Sequence, residues 1–156
     1  MMDSLDHLRE LLADPEFLAL VLEPVLFWGP ALGLVLFLSA SVCKEGKSQK
    51  LALVVILVSC AAAVPLAHLY GLALPRLQAV SDLRAAGLAE AHLARLDQFQ
   101  YAFLAVSALA TLALFLGRGG RTGLWLTLLT LAAAAGAVVL GLWLFGLSAQ
   151  VTHPVL

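Results

Sequence analysis

Charged residues are scarce in this sequence. They make up 12% of its 156 residues, whereas apolar residues make up 62%, and the mean hydropathy is +0.99. An average soluble domain has about 25% charged and 45–50% apolar residues. The net charge is −1, and the chain lacks the basic patch that nucleic acid requires. The composition therefore excludes nucleic acid as a partner and predicts a single domain, residues 1–156, that lies in a lipid bilayer.

Cysteines and catalytic motifs are equally rare. The two cysteines, Cys43 and Cys60, have neither CxxC nor zinc-ligand spacing, and both lie in or beside apolar runs. We therefore expect both thiols to be small buried side chains. No P-loop, HExxH, nucleophile-elbow or Rossmann pattern occurs. The sequence thus predicts no catalytic activity of the chain's own.

Long apolar runs dominate the chain. A membrane-spanning helix needs roughly 20 mostly apolar residues. Four runs meet this requirement, and the links between them are polar. The sequence therefore predicts an all-α integral membrane four-helix bundle. Its spans are expected at about 21–42, 51–74, 99–116 and 123–147.

The short links between the spans indicate the orientation. The link after the first span carries Lys44, Lys47 and Lys50, and the link after the third carries Arg118 and Arg121. Cytoplasmic loops have an excess of lysine and arginine, which places both short links in the cytoplasm. Both termini then face outward. We expect a multi-pass protein of the inner (cytoplasmic) membrane, with periplasmic termini in a diderm bacterium.

Two further segments have helical leucine spacing. They cover residues 3–16 and 81–96, on the predicted outer side. Amphipathic helices of this kind lie flat on a membrane surface, which is the favoured interpretation. The alternative is that they extend the first and third spans into water.

Small residues in the fourth span indicate close helix packing. Ala132 and Gly136 form one small-xxx-small pair, and Ala137 and Gly141 form a second. Because lipid removes the hydrophobic drive between helices, such pairs allow the close contact that holds a bundle together.

Two prolines are expected to bend the first two spans. Pro30 and Pro65 each remove an intrahelical hydrogen bond. Pro65 lies three residues before His68, so the expected kink is close to that histidine.

Histidines are the candidate functional residues. His68, His92 and His153 all belong to the predicted outer half of the bundle, and Glu23 lies at the outer mouth of the first span. Ionisable groups in a span are costly and usually face the bundle interior or water. Three interpretations stay open: a Glu23–His68 pair, a cofactor site built from the three histidines, and purely structural hydrogen bonds.

The first span resembles a known signature. The stretch EPVLFWGPAL, Glu23–Leu32, is similar to the H-P-x-x-V-H-F-P-I-A pattern of a bacterial four-span family, domain of unknown function 2231. Pro24 and Pro30 match its prolines, whereas Glu23 and Trp28 replace its histidines.

The resemblance continues to the end of the chain. AHLARLDQFQYAF resembles the opening of the family's third span through His92, and GLWLFGLSAQVTHPVL resembles its glycine-rich fourth span and tail through His153. The resemblance implies b-type haem binding or service in redox complexes. With the signature histidines replaced, a haem would have to use His68, His92 or His153. Loss of ligands fits a subunit that kept the scaffold without the cofactor.

Three functions follow from these observations. The favoured one is an accessory or structural subunit of a larger respiratory or photosynthetic electron-transfer complex, with membrane lipid and the other subunits as partners. The alternative is a membrane electron carrier that binds b-type haem or a metal. The third is a small transporter, which rests on the two kinked spans and the intramembrane histidine.

Overall fold

The predicted all-helical bundle is confirmed. The structure, a computed structural model, describes residues 13–80, 83–117 and 120–152, and all regular secondary structure in these ranges is helical. The helices are α1 (Pro15–Val42), α2 (Gly46–Ala61), α3 (Ala63–Val80), α4 (Leu83–Leu116) and α5 (Gly120–Thr152).

Four helical segments are long and apolar enough to cross a membrane. The second of them combines α2 with most of α3, so the chain has the four spans that the sequence predicts and is a multi-pass membrane protein. Each segment has 26 to 31 residues, which exceeds the roughly 20 needed to cross the bilayer core. Their bounds are Pro15–Val42, Gly46–Arg76, Ala86–Leu116 and Arg121–Gly146.

The four spans are arranged as a closed ring. Span one (α1) packs against span two (α2 and α3), span two against span three (α4), three against four (α5), and four against one. Successive spans run in opposite directions. We call the end that holds residues 43–45 and Gly117 the basic-loop end, and the opposite end, which holds His68 and His92, the histidine end.

The segment predicted as a separate surface helix at 81–96 is joined to the third span. In the described part of that segment, α4 begins at Leu83 and continues without a break to Leu116. His92 is 4% exposed and Leu96 is fully buried, so this half of the helix packs into the bundle. Burial of these side chains against span two is the physical reason why the segment does not lie separately on the surface. The described part of the segment continues span three, but its His92 and Leu96 pack into the bundle instead of extending into water.

The first span begins earlier than the apolar run predicts. Asp14 caps α1, because its carboxylate accepts a hydrogen bond from the backbone N–H of Glu16 at 3.0 Å. Pro15 occupies the first helical position, where its missing N–H costs nothing. The predicted segment 3–16 thus meets a helix boundary at Asp14, and its residues 3–12 lie outside the described part of the chain.

The two proline positions differ in their effect. The helix of span two is interrupted at Ala62, one turn before Pro65. Pro65 has no N–H to offer the carbonyl of Ala61, which accounts for an interruption there. Pro30 is buried within α1 but does not interrupt it. Pro65 is exposed, so its role is in the backbone rather than in packing.

The core fills the centre of the ring with side chains from all four spans. Its largest fully buried members are aromatic and branched apolar residues. Of the two cysteines, Cys60 belongs to this core, as expected. The expectation for Cys43 is wrong: it is exposed, because α1 ends at Val42 and Cys43 is in the turn that follows. The main core residues are Leu26, Phe27, Ile56, Leu66, Leu96, Phe103 and Leu144.

Spans one and two make the closest helix contact. A Cβ atom built on Gly29 would overlap the side chain of Ser59, and one built on Gly33 would lie 2.5 Å from Cγ1 of Ile56. Gly29 and Gly33 are four residues apart and share one helix face. They form a small-xxx-small pair that the sequence analysis missed, although its spacing was visible in the sequence.

Hydroxyl groups join the next two pairs of spans. The hydroxyl of Ser107 in α4 donates to the backbone carbonyl of Leu57 in α2 at 3.1 Å. The hydroxyl of Thr130 in α5 lies 3.2 Å from the carbonyl oxygen of Leu109 in α4. Both residues are buried, so their polar atoms are satisfied inside the bundle.

The predicted glycine pairs of the fourth span face different ways. Gly141 is buried, and a Cβ built on it would lie 3.5 Å from Cα of Phe27, so α5 contacts α1 there at close range. Its partner Ala137 is also buried. Gly136 and Ala132 are exposed, and no atom lies within 4 Å of the Cβ position of Gly136. Only the second pair therefore packs within the bundle.

Candidate functional site

The two described histidines face different environments. His68 is exposed on α3, whereas His92 on α4 is buried. The reason is helical geometry: Tyr70 points into the bundle, and residues two apart on a helix differ by about 200° in direction. His68 therefore points outward. The third predicted ligand, His153, lies outside the described residues.

Glu23 contacts a tyrosine instead of the expected histidine. The hydroxyl of Tyr70 donates a hydrogen bond to Oε2 of Glu23 at 2.7 Å, which connects α3 to α1. Because His68 is on the opposite side of α3, the expected Glu23–His68 pair is not the arrangement found. Tyr70 was not among the residues predicted from the sequence, although its position two residues after His68 in an apolar run was a usable signal.

His92 completes this polar cluster. Its ring packs edge-to-face against Tyr70, with centroids 5.4 Å apart and an angle of 69° between the planes. Among the described residues, neither ring nitrogen of His92 has a hydrogen-bond partner. Leaving such a group unsatisfied in the interior costs about 1–3 kcal/mol. We call Glu23, Tyr70 and His92 the interior cluster.

Aromatic side chains surround the histidine end. Arg95, three residues after His92, lies over the ring of Trp143 with its guanidinium carbon 5.3 Å from the centroid. Phe99 packs edge-to-face against the same indole at 5.8 Å. Trp143 thus connects α5 to the part of α4 that carries His92. Aromatic rings of this kind are enriched where a membrane meets water.

His68 lines a separate groove between α3 and α4. This His68 groove has a volume of about 690 Å³, and Glu90, Asp97 and Gln100 line its α4 wall. His68, Glu90 and Asp97 are exposed, whereas Gln100 is 8% exposed and donates a hydrogen bond to Asp97 Oδ1 at 2.5 Å. Apolar residues line the rest of it. The groove presents two carboxylates and an imidazole to the outside of the bundle.

His68 and His92 do not face each other as a pair of haem ligands would. A bis-histidine haem needs two imidazoles that face one slot. The ring of His92 is enclosed by the core, whereas His68 lines an open groove whose walls do not include His92. Within the described ranges no three His, Cys, Asp or Glu side chains are grouped closely enough to hold a metal ion.

The histidine end has two distinct polar features, one inside the bundle and one on its outer face. One is the interior cluster, in which His92 is buried and has no hydrogen-bond partner among the described residues. The other is the outward His68 groove, which can accept a hydrogen-bond donor or a cation from a neighbouring molecule. Comparison with protein-family models, with curated proteins and with solved structures finds no match to this chain.

Proposed function

We propose that this protein is an integral membrane accessory subunit of a larger electron-transfer complex, respiratory or photosynthetic, with no catalytic activity of its own. The His68 groove is the observation that carries the proposal. It places His68, Glu90 and Asp97 on an outward face of spans two and three. Ionisable residues in spans usually face a bundle interior or water. A neighbouring subunit that covers the groove would enclose these ionisable side chains within a larger protein interior.

The position of the groove along the bundle supports a protein partner. Asp97 lies 19 residues from the end of α4 at Leu116, which corresponds to about 28 Å at 1.5 Å per residue. The hydrocarbon core is about 30 Å thick, so Asp97 lies near its edge. A carboxylate on the outer face of the bundle at this depth is stabilised by a hydrogen-bond donor on a partner helix.

The electron-transfer part of the proposal rests on the sequence. The first span resembles the signature of domain of unknown function 2231. This resemblance implies b-type haem binding or service in redox complexes. The replacement of its signature histidines by Glu23 and Trp28 fits a subunit that kept the scaffold. The interior cluster supports this interpretation, because Glu23 has become part of a structural contact with Tyr70.

Purification from native membranes tests the proposal. In mild detergent we expect the chain to elute with larger redox proteins, identified by mass spectrometry and by an oxidised-minus-reduced optical spectrum. Neutralising the groove with Glu90→Gln and Asp97→Asn should release it from them. The control is Glu45→Gln, which removes an exposed carboxylate at the basic-loop end. A chain that always elutes alone, or that binds equally well with the groove neutralised, contradicts the proposal.

A b-type haem or metal-binding electron carrier is the second candidate, and His92 is the observation that favours it. A buried imidazole with both nitrogens unpartnered among the described residues is a candidate ligand. A haem α-band in the purified protein alone, lost in His92→Ala or His68→Ala, would favour this candidate. A colourless protein produced with ample haem would contradict it.

A further inference from the structure

The basic-loop end contains a cleft that the proposed function does not use. Two adjoining hollows, of about 490 and 380 Å³, open between the ends of the four spans. They share Phe37, Gln49, Gly117 and Thr127 as wall residues, so they lie side by side. We call the two hollows together the basic cleft.

The wall of the basic cleft changes from polar to apolar. Lys50 lines one hollow, and Ser41 lines the other. The amide nitrogen of Gln49 lies 3.3 Å from the hydroxyl of Ser41, so these polar groups are adjacent. Leu128 and Leu131 continue the wall along α5 toward the middle of the span. A ligand that fits this wall has a polar head and an apolar tail.

Basic side chains are exposed at the basic-loop end, and one of them, Lys50, lines the cleft. Lys44, Lys47, Lys50 and Arg121 are exposed, and none of them forms an ion pair with another residue that the structure describes. The acidic residue of the α1–α2 turn, Glu45, accepts a hydrogen bond from Ser48 at 2.6 Å. The positive charge at this end therefore favours an anionic ligand.

We propose that the basic cleft binds one anionic phospholipid, with its phosphate beside Lys50 and an acyl chain along Phe37, Leu128 and Leu131. Basic pockets between membrane helices bind acidic lipid head groups, and a lysine that lines such a pocket contributes about fivefold in affinity. The apolar wall favours a lipid over a free phosphate ion, because phosphate alone would leave that wall uncovered. The lipid would bridge all four spans at this end.

Native mass spectrometry in detergent tests the proposal with two lipids of identical acyl chains. We expect one phosphatidylglycerol molecule to be retained per protein, and phosphatidylcholine to be retained at least fivefold less. Lys50→Gln should weaken phosphatidylglycerol retention about fivefold. Lys47→Gln is the matched control, because Lys47 is exposed and does not line the cleft. It should change retention less than twofold.

Three results would overturn the proposal. Equal retention of the two lipids would remove the anionic preference. Equal losses in Lys50→Gln and Lys47→Gln would indicate general surface attraction. Displacement of the lipid by inorganic phosphate at equal concentration would identify a phosphate site without a chain contact. Each result is independent of co-purification with redox proteins.

Discussion

Tyr70 and Glu23 are hydrogen-bonded across two helices although they are 47 residues apart in the sequence. The hydroxyl of Tyr70 donates to the carboxylate at 2.7 Å, and the ring of the same tyrosine packs against His92. One side chain therefore links α1, α3 and α4. Because Tyr70 faces inward, His68, two residues earlier on the same helix, faces the outer groove. The two described histidines therefore lie in different environments.

The Tyr70→Phe variant tests this link. It keeps the ring and removes the hydroxyl, so the contact with His92 remains while the bond to Glu23 is lost. We expect a loss of about 1–2 kcal/mol in the free energy of unfolding, measured by titration from mild detergent into SDS. Tyr101→Phe is the control, because Tyr101 is 69% exposed. Equal stability of the two variants would contradict a stabilising role for the bond.

Gly33 is predicted to be the more sensitive of two matched glycines. In Gly33→Ala the new Cβ would meet Ile56 Cγ1 at 2.5 Å and the carbonyl oxygen of Ala52 at 3.1 Å, so α1 and α2 must separate. We expect a loss of about 1–3 kcal/mol in the same titration. Gly136→Ala, which adds a methyl group in open space, should be neutral or stabilising. The reverse order of stability would show that the α1–α2 contact is not tight.

His92→Phe should leave the bundle folded and at least as stable as the original chain. The substitution replaces a buried ring, whose nitrogens have no partner among the residues that the structure describes, by an apolar ring of similar shape. Removing an unsatisfied polar group is neutral or gains up to about 2 kcal/mol. A loss of more than 2 kcal/mol would instead reveal a bound water or another partner on the imidazole. His68→Phe is the comparison at an exposed position.

Cysteine labelling measures the orientation. Cys43 is exposed in the turn at the basic-loop end, whereas Cys60 is fully buried. A membrane-impermeant maleimide should label Cys43 in inverted membrane vesicles and leave it unlabelled in intact cells, because the lysine-rich turn is expected in the cytoplasm. Cys43→Ser should abolish the labelling. Labelling from the outside of intact cells would reverse the proposed topology.

Much of the fold could be predicted because it depends on local composition. The four spans follow from apolar runs of about the thickness of a bilayer, and Asp14–Pro15 is a recognisable helix start. The site was less predictable. Which face of a helix turns inward depends on the helices that pack against it, and His68 and His92 both lie among apolar neighbours in the sequence. That is why the sequence did not distinguish the exposed His68 from the buried His92.

The sequence by itself determined that the chain forms four membrane-crossing helices with short basic links after the first and third, because hydropathy and loop charge act residue by residue. Only the tertiary structure determines which polar side chains come into contact. Packing of α4 against α3 buried His92 beside Tyr70 and left His68, Glu90 and Asp97 along an outward groove. Packing also selected Gly29, Gly33 and Gly141, rather than Gly136, as the points of close helix contact. The physical reason is that the face of a largely apolar helix that becomes buried depends on the helices that pack against it.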